Sequence, residues 1–151
     1  MARIAQEEAA WNNKPESWDW ASDLEQPRDR ELLWALTHGV ANTLEQEIYV
    51  RTKLWWAGNG PHRGYKRKSP MNEDEAQHNM TALLQLRRTM ADDKRDLRLE
   101  GELLRELGRF LEAIQMLEGL AGDDSRASII LEKVSAGDRI VCEVGRSEFS
   151  Y

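Results

Sequence analysis

The chain has 151 residues, 40% of them hydrophobic and 32% charged, and a formal net charge of −6. Its one cysteine, Cys142, excludes an intrachain disulfide framework and a cysteine-based zinc knuckle. No stretch reaches the ~18 apolar residues of a membrane span, and the acidic balance disfavours general nucleic-acid binding.

That charge is uneven. Residues 1–50 hold 4 basic and 10 acidic groups, whereas residues 51–68 hold 6 basic groups and no acidic one. The protein is acidic with one basic island. Leu, Ala, Glu and Arg are abundant and runs of β-branched residues are scarce, which favours helix over sheet. The expected class is all-α: five to six antiparallel helices in one domain, as a short solenoid or a compact bundle.

The first residues, MARIAQEEAAWNNK, lack an apolar core, so no signal peptide is expected and a reducing cytoplasm is the natural location. Residues 1–26 read as a tryptophan-rich arm. Trp11, Trp18 and Trp20 fall within ten residues. They suit indoles plugged into helix grooves, or an aromatic surface for a partner. A long helix is expected from Ser22 or Pro27 to about Ala57. Ser22 and Glu25 have capping-box spacing, and Leu33, Leu36, Val40, Leu44, Ile48 and Trp55 form its stripe. Gly39 is where it would kink or split. Residues 58–70, GNGPHRGYKRKSP, read as a Gly- and Pro-rich basic loop.

A helix then starts near Asn72, with Glu75 three residues on and Ala76, Met80, Leu83, Leu84, Arg87 and Met90 as its stripe. Asp92 and Asp93 interrupt the pattern and are placed to cap the next helix. Residues 94–121 carry two amphipathic patterns. Leu97, Gly101, Leu104 and Leu107 recur on one face. Phe110, Ala113, Ile114, Leu117 and Leu120 recur on another, with Gly108 at the turn between them. Gly101 and Ala113 are small enough to let the two backbones approach. Gly122–Asp124 end this hairpin. Asp124 or Ser125 caps a further helix, with Ala127, Ile130, Leu131 and Val134 facing inward. Ile140, Cys142 and Val144 then alternate, as in a short strand or a last helical turn.

Over Lys94–Ala127 the chain resembles one tetratricopeptide repeat, a helix–turn–helix unit of about 34 residues. Leu97, Gly101 and Leu104 match its first-helix signature. Gly108, Phe110, Ala113, Leu117 and Leu120 match its turn and second helix. The resemblance implies helical packing and protein or peptide binding. A plain antiparallel hairpin produces the same pattern.

No catalytic set emerges. His38, His62 and His78 show no close metal-ligand spacing. Glu75 and His78 form one isolated Glu-x-x-His, where a di-iron bundle needs two. Asp92, Asp93 and Asp96 are read as capping residues. No cofactor is expected. One constellation does carry binding chemistry: Arg51, Trp55, Trp56, Asn59, His62, Arg63 and Tyr65, flanked by Tyr49, Lys53, Lys66, Arg67 and Lys68. Rings beside Arg and Lys bind an anion, stack a base or grip an acidic peptide. Core packing of Trp55 with a solvated loop is the plainer reading. With Trp18 and Trp20, these residues make up the expected partner-binding set.

The function expected from the sequence is a non-enzymatic protein–protein interaction module. Its size and charge suit a toxin-neutralising immunity protein or antitoxin with a cationic toxin as partner. Self-association as a homodimer is a further expectation. The alternative is a nucleic-acid or nucleotide binder using residues 51–68.

Overall fold

A computed structural model describes residues 29–60 and 68–139. Within them the chain forms six α-helices and a short 3-10 turn, with no strand. The helices are α1 (Asp29–Thr37), α2 (Leu44–Asn59), α3 (Glu73–Arg88), α4 (Leu97–Glu106), α5 (Phe110–Glu118) and α6 (Ser125–Ser135). Each packs on the next in the chain, and α6 also returns to α4. The expected all-α class is what these residues adopt.

The single long helix expected from residue 22 or 27 to 57 is two helices. Gly39 takes a left-handed backbone, φ +68°, which ends α1. Thr43 then opens α2 with a capping box. Its hydroxyl accepts from the Gln46 N–H at 3.2 Å, and the Gln46 side chain accepts from the Thr43 N–H at 3.4 Å. The break removes Val40 and Leu44 from the apolar stripe: they are 50% and 38% exposed. At its other end α2 runs through Gly58 to Asn59, so the first two residues of the expected loop are helical.

The other helix starts follow local chemistry. Asn72 and Glu75 form the expected capping box of α3. Asp92 and Asp93 do not cap α4. With Lys94 they make the 3-10 turn, and Asp96 instead accepts from the N–H groups of Arg98 and Leu99. Asp124 caps α6 in the same way. The hairpin α4–α5 turns at Gly108, φ +75°. It ends sooner than expected, since α5 stops at Glu118 and residues 119–123 are turn.

Two apolar clusters hold the helices together. The smaller joins α1, α2 and the approach to α3 through Leu32, Val50, Leu54 and Met71. The larger runs from α2 to α6 through Ile48, Trp55, Leu83, Leu84, Leu103, Leu104, Ala113, Leu117, Ala127, Ile130 and Val134. Within it, α4 and α5 approach closely at Gly101. A Cβ built on Gly101 would lie 2.6 Å from a methyl carbon of Leu117, a fully buried side chain. The small residue is what allows this approach.

The tryptophan-rich arm, the basic residues 61–67 and the alternating segment around Cys142 lie outside the described residues.

Candidate functional site

Helix α2 carries the described part of the aromatic and basic constellation, and helical geometry divides it. At about 100° per residue, positions 51, 55 and 59 share one side, while 49, 53 and 56 share the other.

The inward side is occupied by internal bonds. Arg51 donates to Glu47 at 2.8 Å and to the Asn79 side chain at 3.3 Å, and Asn79 donates back to the Arg51 carbonyl at 3.0 Å. Trp55 is 5% exposed, packs in the larger core cluster and donates its indole N–H to Glu106 Oε2 at 2.8 Å. The Asn59 amide donates to both oxygens of the same carboxyl, at 3.0 and 3.1 Å. Arg51, Trp55 and Asn59 thus tie α2 to α3 and α4.

The outward side is different. Tyr49 is 52% exposed. The Lys53 ammonium lies over two rings at once, 5.5 Å from the Tyr49 centroid and 5.2 Å from that of Trp56. Trp56 is partly buried against the core and completes a stripe of ring, cation and ring. Lys68, the next described basic residue of the island, is exposed. His62, Arg63, Tyr65, Trp18 and Trp20 lie outside the described residues.

Glu106 belongs to a group that the sequence reading placed in no site. Every residue from Leu99 to Glu106 is buried, so α4 has no wet face. Its charges are answered internally. Arg95 grips Glu100 with two bonds of 2.9 and 2.6 Å, and this contact holds the guanidinium above its ordinary pKa. Arg105 grips Glu102 at 2.8 and 2.6 Å and also donates to the Asp138 carbonyl. Arg139 donates to the Glu106 carbonyl at 3.0 Å. The segment after α6 is thereby fastened to the end of α4.

The Glu106 carboxyl is pushed up to about 7, chiefly by burial. The Trp55 bond opposes the rise, Glu102 adds to it, and Asn59 and Arg105 oppose it more weakly. No other acid accepts a bond from Trp55 or Asn59 among the described residues, so this carboxyl has the surroundings of a structural tie. The Glu102–Arg105 spacing of three was the one trace of this network in the sequence. An amphipathic reading assigns such pairs to solvent.

Among the described residues, the remaining acids and histidines are dispersed. Glu75 is spent on the Asn72 N–H, and His78 is exposed beside it. His38 stacks on Trp34 with centroids 4.3 Å apart. Among the described residues no three His, Cys, Asp or Glu side chains are grouped as a metal site would need. No helix among them is long and apolar enough to cross a membrane.

No protein-family model matches the chain, and neither the curated proteins nor the solved structures yield a match.

Proposed function

We propose that this chain is a non-enzymatic, helical protein-binding module whose recognition surface includes the outward face of α2. The observation that carries this reading is the stripe Tyr49–Lys53–Trp56. A half-exposed phenol and an indole are held in place by a cation that both rings attract. Aromatic side chains of this kind supply large contact area at low entropic cost, and they dominate binding hot spots. The resemblance of Lys94–Ala127 to a tetratricopeptide repeat supports the same class. In that repeat, helical hairpins exist to bind other chains.

The finer reading is a toxin-neutralising immunity protein or antitoxin of the cytoplasm. It rests on the small size, the net charge of −6 and the lone Cys142. A cationic toxin would be steered to the acidic surface.

The nucleic-acid reading draws on the basic residues 51–68. It has less support, because Arg51, Trp55 and Asn59 are engaged inside the protein. A tagged pull-down from native lysate, divided into nuclease-treated and untreated halves, separates the readings. One protein recovered at near-equal amount in both halves is the expected result. Protection of cells from that protein would assign immunity. Recovery that vanishes with nuclease would transfer the function to nucleic acid.

A further inference from the structure

Residues 48–72 hold no acidic residue, although the chain as a whole has 27. This is the longest such gap in the chain, and α2 from Ile48 onward lies in it. Helical geometry then separates the two cations of that part of α2. Arg51 lies on the inward side, and Glu47 answers it at 2.8 Å. Lys53 lies on the outward side. Among the described residues no carboxylate is within ion-pair reach of it, and no oxygen accepts from its ammonium.

The Tyr49 and Trp56 rings attract that ammonium through their faces but neutralise none of its charge. Tyr49 is 52% exposed and Lys53 is half-buried rather than enclosed, so this side is open to solvent. A bare carboxylate would gain little here, because an exposed ammonium–carboxylate pair is well screened by water. Apolar groups on either side of the carboxylate change that. They cover the rings, exclude water and lower the dielectric around the pair. From residue 49 to residue 56 the helix rises about 10 Å. Three alternate side chains of an extended peptide, which share one face, span a comparable length.

Resting on the protein-binding reading of this face, we propose that the outward side of α2 takes an acidic segment of a partner protein. An Asp or Glu carboxylate of that segment sits on Lys53, and apolar side chains flanking it cover Tyr49 and Trp56. The segment is acidic whatever the overall charge of the partner. A nucleic-acid strand fits less well. Its affinity grows with each phosphate neutralised, and Lys53 is the one cation of α2 without a carboxylate among the described residues.

The test is two-dimensional nitrogen NMR of the full chain, read at the backbone amides of residues 49–56 and the Trp56 indole N–H. The probe is the blocked peptide Gly-Phe-Ser-Glu-Ser-Phe-Gly, titrated to about 5 mM, enough to occupy a site of millimolar Kd. Its twin with Gln for Glu, and a thymidine oligonucleotide, are titrated at equal ionic strength. The expected result is a saturable shift of these signals with the Glu peptide and binding of the Gln twin weaker by about tenfold or more. Lys53→Met should reduce the Glu peptide to the level of its twin, and Lys53→Arg should restore the difference. Equal binding of the two peptides, both lost in Tyr49→Ala, overturns the acidic segment and leaves the face an apolar docking surface. Signals that move with the oligonucleotide and not with the Glu peptide overturn it in favour of nucleic acid. Signals that no probe moves overturn the proposal.

Discussion

Glu106 is the residue on which the helices α2 and α4 depend for their polar contact. It accepts from Trp55 and Asn59, and its folded pKa of about 7 exceeds the ordinary 4.5. The folded state therefore holds a proton that the unfolded state gives up between those values. The stability from this group is complete below about pH 4.5 and is lost as pH rises through 7. The loss approaches roughly 3 kcal/mol by pH 8. Chemical denaturation across that window should show a fall in stability that Glu106→Gln flattens. A slope identical in the two proteins would show that the carboxyl titrates normally. Trp55→Phe keeps the ring and removes one donor, and should cost about 1–3 kcal/mol at pH 8, where the carboxylate is ionised. Beyond the Glu102–Arg105 spacing, none of this was legible in the sequence. Periodicity marked Leu97, Gly101, Leu104 and Leu107 as one apolar face and gave Glu100, Glu102 and Glu106 no place in the fold. Period reveals one apolar face. It carries no sign that a second neighbour covers the polar one, with arginines supplied from Arg95 and from within the helix.

Among the elements, helix starts and turns were the readable part, because they are set by two or three adjacent residues. Asn72 with Glu75, Asp124, and Gly108 each act through bonds or dihedrals within a few positions of themselves. The break between α1 and α2 was half readable. Gly39 was marked as a point of division, but Thr43 with Gln46 was overlooked beside an apolar stripe that appeared continuous. Thr43→Ala removes this cap and should lower stability by about 1 kcal/mol. Asp92 and Asp93 misled because several aspartates stood before one helix, and only Asp96 lies at the residue where the backbone turns in. The closeness of α4 and α5 was signalled by Gly101. Alanine there gains about 1 kcal/mol of helix preference. It also forces the fully buried Leu117 to move, which costs roughly 1–3 kcal/mol. Thermal unfolding of Gly101→Ala should show a net loss. A rise in Tm would mean that Leu117 has room to yield.

At the scale of the whole molecule, helical geometry sorts one mixed stretch of sequence into two roles. Residues 49–59 read as a single aromatic and basic cluster. On α2 its members at 51, 55 and 59 brace the interior, and those at 49, 53 and 56 form the outward stripe. The sequence held the spacing needed for this division. It lacked the positions of Glu106 and Asn79, which decide which side faces in. The double variant Tyr49→Ala with Lys53→Glu alters the outward side alone and should leave Tm within about 2 °C, since Tyr49 is exposed and the half-buried Lys53 lies over the outward rings. The decisive measurement is the amount of partner that this variant recovers from native lysate beside the unaltered chain, quantified by mass spectrometry. A loss of at least tenfold at unchanged Tm is the predicted result, equivalent to about 1.4 kcal/mol of binding. Equal recovery by the two proteins would contradict a binding role for this face.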